Sequence, residues 1–72
     1  MSDRRVELLD VVALLQDLPE RGLVKGQVGT VVEDLGSAFE VEFSVEDGRA
    51  YALLALRPAD VLLLHHRPVR AA

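Results

Sequence analysis

The sequence contains no cysteine. Disulfide staples, a thiolate zinc site, an iron–sulfur cluster and a thiol nucleophile are therefore excluded. It also has no run near the ~18 uninterrupted apolar residues that a transmembrane helix requires. The start, Met1-Ser2-Asp3-Arg4-Arg5, is basic, but Glu7, Asp10 and Asp17 break the apolar run that follows it. No small-residue cleavage site comes after that run, so a signal peptide is not expected and the expected location is the cytoplasm. The glycines match neither a Walker loop nor a dinucleotide fingerprint. Ser2, Thr30, Ser37 and Ser44 have no histidine or acid at the spacing of a nucleophile–base system. The two histidines, His65 and His66, are adjacent, and on a strand they point to opposite faces, which does not suit chelation of one metal. The expectation is a protein without catalytic activity, metal or cofactor.

What the sequence does contain is 72 residues, half of them hydrophobic, with 12 acidic and 8 basic side chains. That is one small domain with ample core-forming residues, too apolar for intrinsic disorder. At this size only about 60% of the unfolded chain's surface is buried on folding, so stability is expected to be marginal. The net charge of −4 is unevenly placed: residues 7–60 carry eleven acids against Arg21, Lys25, Arg49 and Arg57, whereas both ends are net basic. An acidic body repels phosphate backbones, which argues against general nucleic-acid binding.

Strict alternation marks one strand. Phe39, Val41, Phe43 and Val45 interleave with Glu40, Glu42, Ser44 and Glu46, giving one buried face and one wet, acidic face. Asp47-Gly48 follows as a hairpin signal, and Arg49 to Leu56 supplies the returning strand. Gly26 to Glu33 reads as a further β-branched strand, ending in the turn Asp34-Leu35-Gly36-Ser37. Gly26 and Gly29 suggest a bulge or a close backbone approach. After the turn Pro58-Ala59-Asp60, Val61-Leu62-Leu63-Leu64 forms a short last strand. Residues 6–18 are ambiguous, because Leu8, Val11, Val12, Leu15 and Leu18 fit a helical stripe while Val12 and Leu14, or Val11, Ala13 and Leu15, fit a strand. A strand from about Asp10 to Gln16 is favoured, since a meander needs its buried face covered. Pro19 and Gly22 place a loop over residues 18–23. The expected fold is all-β, a small five-stranded SH3-like barrel. Its expected limits are residues 8–66, between an N-terminal tail of residues 1–7 and a C-terminal tail of residues 67–72.

The segments Leu9-Asp10-Val11-Val12-Ala13-Leu14-Leu15-Gln16-Asp17-Leu18-Pro19, Gly22-Leu23 and Gly26-Gln27-Val28-Gly29-Thr30-Val31-Val32-Glu33 together resemble a family of short bacterial proteins, domain of unknown function 4926. The resemblance continues through Phe39-Glu40-Val41-Glu42-Phe43, Asp47-Gly48-Arg49, Tyr51-Ala52-Leu53-Leu54 and Leu56-Arg57, covering roughly residues 8–64. It implies a stand-alone SH3-like barrel without a known active site, and an antitoxin-like or immunity-like member of a two-gene pair. Gly26 to Val32 also resembles the KOW-type strand of ribosomal and elongation-factor barrels. That second resemblance implies an alternative role as an RNA- or ribosome-associated module, through Arg21, Lys25, Arg57 and the tails.

Three groups of residues are candidates for contact with a partner. Glu40, Glu42 and Glu46 share one strand face, about 7 Å apart at i and i+2. The simplest reading of that face is a solvated one; the functional alternative is an acidic docking surface for a basic protein. Leu18 and Leu23, in the loop after the first strand, either cap the end of the barrel or bind. Leu54, Leu56, Leu62 and Leu64 belong to strands apolar on both faces. If Tyr51, Leu53, Val61 and Leu63 point inward, the even-numbered leucines form an exposed patch, the mark of an interface with another protein or a second copy.

Overall fold

The computed structural model describes residues 6–44 and 52–65. It contains five strands, β1 (Val11–Leu14), β2 (Val28–Asp34), β3 (Phe39–Phe43), β4 (Ala52–Leu56) and β5 (Val61–Leu64), and short 3-10 turns at Pro19–Arg21 and Pro58–Asp60. All pairings are antiparallel, in the order β4-β3-β2-β1-β5. The ambiguous segment is thus a strand, and it lies between β2 and β5, with hydrogen bonds on both sides. The meander β2-β3-β4 has the expected order. The Asp47-Gly48 turn, Val45, Glu46, Tyr51, His66 and residues 67–72 lie outside the described residues, as do residues 1–5.

One face of the sheet forms the core. Val12 and Leu14 from β1, Val31 from β2, Phe39, Val41 and Phe43 from β3, Leu56 from β4 and Val61 from β5 are buried there, with Leu23 from the loop. Among the described residues no helix covers this face, so the sheet has to curl over its own side chains. Two local features permit that. The β2–β3 register shifts between Val31 and Glu33, a bulge that sharpens the strand's bend. Gly29, buried on the inner face, leaves room for β3: a Cβ there would lie 2.7 Å from Val41 Cγ1 and 2.8 Å from the Phe43 ring. The sheet is nevertheless open, since β4 and β5 are edges and do not pair with each other.

The connections follow from local chemistry. Asp34 Oδ1 accepts from the Gly36 N–H at 2.8 Å, and Leu35 N–H donates to Ala38 O, closing the β2–β3 turn around Gly36 at φ 97°. At Pro58–Asp60 the Arg57 N–H donates to Asp60 Oδ2 at 2.9 Å, and Val61 N–H donates to Pro58 O. Leu18 and Leu23 exchange both backbone hydrogen bonds and pinch off the Pro19–Gly22 segment. Before β1, Val6 packs on the core. The Glu7–Asp10 turn then puts Leu9 at φ 71°, a conformation that is strained for a leucine.

The orientation of β4 corrects the expected patch. Leu54 lies opposite Val41 and Leu56 opposite Phe39, so both turn inward; Leu56 is only 6% exposed. Leu53 lies opposite Glu42 and points to solvent, 48% exposed. Every odd and even position from Ala52 to Leu56 is apolar, so the sequence carries no parity signal there. The registration against β3 decides it. In β5 the expected parity holds: Val61 and Leu63 face the core and Leu62 faces out. The loop leucines also turn inward, with Leu23 buried and Leu18 packed on the core, which matches the capping alternative.

Candidate functional site

Directly opposed residues of an antiparallel pair share a face, so the registers define rows across the outer surface of the sheet. One row runs Leu64, Val11, Thr30, Glu42, Leu53 from β5 to β4. A second runs Leu62, Ala13, Val28 across β5, β1 and β2. A third sets Glu33 opposite Glu40, with Ala55 beyond on β4. The β5-β1-β2 portion of this surface is therefore built from Leu, Val and Ala with one threonine, whereas the β3 portion carries glutamates.

The apolar portion has relief. Ala13, on the central strand, is 9% exposed, while its neighbours Leu62 and Val28 are 54% and 51% exposed. The two larger side chains stand above the methyl group between them. Leu15, one residue past the end of β1, is exposed as well and extends the alternation Val11, Ala13, Leu15. Leu9 N–H donates to Val31 O at 2.8 Å, and the Leu9 and Val32 side chains are both exposed.

Of the sequence-predicted residues, Leu62 and Leu64 lie on this surface, and Glu40 and Glu42 lie on β3, which borders it on the same face. Leu54, Leu56, Leu18 and Leu23 belong to the opposite, core side, and Glu46 is outside the described residues. The residues missed were Val11, Ala13 and Val28. For Val11 and Ala13 the signal was present in the sequence as a strand apolar at both parities, the property that made residues 6–18 ambiguous.

Electrostatically, the acidic part is uncompensated in one respect. Glu33 and Glu40 are directly opposed like charges, an arrangement that costs a few tenths to about 1 kcal/mol. Two of the described basic residues make contacts away from Glu33 and Glu40. Arg21 Nη2 reaches Leu53 O on the free side of β4 at 3.5 Å, a weak bond, and Arg57 Nε lies 3.7 Å from Asp60 Oδ2.

A depression of about 310 Å³ opens beside β5, lined by Val6, Pro58, Val61, Leu62 and Leu63. All five side chains are apolar, and the polar part of the lining comes from backbone groups. Among the described residues there is no group of three or more histidine, aspartate or glutamate side chains that would hold a metal ion, and no helix long and apolar enough to cross a membrane. What the outer surface can supply is apolar contact on one side and negative charge on the other.

No curated protein and no solved structure matches the chain. The family model described as Domain of unknown function (DUF4926) matches residues 8–63, most of the sequence. The chain belongs to that family.

Proposed function

We propose that this protein is a non-catalytic, protein-binding module of the bacterial cytoplasm with an SH3-like, incompletely closed barrel. The observation that carries the reading is the contiguous apolar surface formed by Val11, Ala13, Val28, Leu62 and Leu64 on the outside of the sheet. The inner face already holds the buried core, so the exposed apolar residues in register on the other face, Val28 and Leu62, add contact surface beyond it. Such surfaces mark interaction sites. The glutamates of β3 alongside favour a basic partner through electrostatic complementarity. A toxin or nuclease neutralised by its small acidic neighbour has that character, in line with the two-gene arrangement that the family resemblance implies. The SH3-like reading is supported by the strand order, in which the last strand returns beside the first, and by the bend in β2.

For the KOW-like RNA-binding alternative, the glycine that prompted it has a packing role, because Gly29 accommodates Val41 and Phe43. Two of the bases that reading needs, Arg21 and Arg57, make only weak contacts within the protein, at 3.5 Å to Leu53 O and 3.7 Å to Asp60 Oδ2.

The test is affinity capture of the tagged protein from its own host, with and without nuclease. A stoichiometric protein partner should survive nuclease and salt of about 0.5 M, which greatly weakens phosphate contacts. The pair Val28→Glu and Leu62→Glu should abolish its capture. Recovery of RNA or ribosomal proteins that nuclease removes would replace this reading with the RNA-associated one.

A further inference from the structure

We infer that this chain pairs with a second copy of itself through the free edge of β5, joining two five-stranded sheets edge to edge. The inference goes beyond the partner reading above, since it concerns a strand edge rather than the outer face.

The backbone shows which groups are available. Leu15 N–H donates to Asp60 O at 3.0 Å, which continues the β1–β5 register by one pair. Hydrogen-bonded pairs alternate along an antiparallel ladder, so Leu62 and Leu64 turn their backbone groups toward β1. Val61 and Leu63 turn theirs outward. Val61 N–H is taken by Pro58 O. No hydrogen bond among the described residues takes up Val61 O or the outward N–H and C=O of Leu63.

Natural sheet edges are blunted by charge, proline, bulges or a covering loop. β5 has none of the first three, because it reads Val-Leu-Leu-Leu and its register against β1 is unbroken. The other edge differs: the Arg21 guanidinium lies 3.5 Å from Leu53 O on the free side of β4. Beside the uncharged β5 edge opens the depression lined by Val6, Val61 and Leu63, with room for an added side chain.

Symmetry and charge select a second copy. A two-fold axis through Leu63 sets that residue opposite itself, and the two copies exchange both N–H···O=C bonds there. The same register sets Leu62 opposite the second copy's Leu64 on the outer face, twice over. Leu62, 54% exposed in the single chain, thereby gains a leucine neighbour. The row Leu62, Ala13, Val28 continues into the second copy's row Leu64, Val11, Thr30. A foreign strand makes each of these contacts only once. Both chains carry a net charge of −4, which opposes association. Joining at β5 keeps that cost low, because β3 and its glutamates lie three strands in from this edge. The two β3 strands are then roughly 33 Å apart along the joined sheet, several screening lengths at physiological salt. Pairing through β4 would bring them to roughly 14 Å.

Sedimentation equilibrium of the full chain should show a concentration-dependent rise toward twice the 7.9 kDa chain mass. Hydrogen exchange of the Leu63 amide should slow as concentration rises, while that of Leu53, on the other edge, should not. Leu63→Pro deletes the outward N–H without removing a bond of the β1–β5 ladder, and should abolish the dimer. That proline also trims a partly buried side chain, so Leu62→Lys serves as a variant outside the core. It should weaken association about tenfold. Adding Leu64→Glu to Leu62→Lys should restore the dimer, because each lysine then faces a glutamate across the two-fold. Val28→Glu, two strands in, should leave the dimer intact, so loss of self-association and loss of a captured partner are read separately. A chain that stays monomeric up to about 1 mM would overturn the inference. So would a dimer that protects Leu53 instead of Leu63, a charge swap without rescue, or a dimer broken by Val28→Glu.

Discussion

β1 and β3 lie two strands apart in one sheet, and both send alternate residues into the same core. Their outward positions differ. On β3 they are Glu40 and Glu42; on β1 they are Val11 and Ala13, followed by Leu15. β3 is an ordinary half-buried strand, apolar inside and charged outside. β1 is apolar on both sides, and its two neighbours continue the apolar surface through Val28, Leu62 and Leu64. A strand that obeys the alternation rule contributes to folding. One that breaks it on the solvent side carries something more than the fold requires; that excess runs across β5, β1 and β2, and Leu53 and Ala55 repeat it on β4 beyond the glutamates.

The sharpest way to break this contrast is to compare the two faces by substitution. Phe43→Ala deletes a fully buried ring and should cost about 3–5 kcal/mol. A chain of this size has a total stability of only about 4–11 kcal/mol, so urea denaturation should show most of the folding free energy lost. Leu56→Lys should unfold the chain for a related reason, a buried charge without a partner. Leu53→Lys, three residues earlier on the outward face and opposite Glu42, should change stability by no more than about 0.5 kcal/mol. Unfolding by Leu53→Lys would reverse the assigned parity of β4.

A smaller effect is expected at the contact between β2 and β3. Gly29→Ala sets a methyl group against Val41 and Phe43 and should cost about 1–3 kcal/mol. The cost should shrink in a Phe43→Leu background, since the two sites share the same space. An additive double-mutant cycle would show that the close approach of β3 is not what requires glycine at this position.

Two substitutions should raise stability. Leu9→Gly releases a left-handed backbone conformation at an exposed position and should gain up to about 1 kcal/mol. In a domain of this size that is a rise of several degrees in Tm, measurable by calorimetry. Glu40→Gln removes the repulsion across the pair with Glu33 and should gain about 0.2–1 kcal/mol. The gain should fade as salt is added. The same substitution should weaken binding of a cationic partner, so a stability gain accompanied by undiminished binding would separate the acidic part of the surface from the apolar part.

Much of the fold was legible in the sequence. The Phe39–Phe43 alternation, the turn around Gly36 and the last strand at Val61–Leu64 were each specified by local chemistry. The inward direction of Leu54 and Leu56 was not, because every residue from Ala52 to Leu56 is apolar and either parity gives the same pattern. Only pairing with β3 distinguishes them, and register is a long-range property. The loop leucines were open for a similar reason: Leu23 reaches the core only because it exchanges backbone hydrogen bonds with Leu18. The apolar surface was half legible. Leu62 and Leu64 could be read from the sequence, but Val11, Ala13 and Val28 became part of one surface only when the sheet placed β1 between β2 and β5.

That central position of β1 has a kinetic consequence. Val11 pairs with Leu64 and Leu14 with Val61, contacts that span most of the domain. During synthesis β1 can find β2 early, but its other side has no backbone partner until the final strand has left the ribosome. Until then Val12 and Leu14 lack one neighbour, and the domain presents an unsatisfied strand edge to every other chain in the cell. Contacts of such sequence separation slow folding relative to helical chains of the same length. The β1 strand is therefore fully paired only once β5 is available, and a chain interrupted before Val61 would leave one side of β1 open to pairing with other chains.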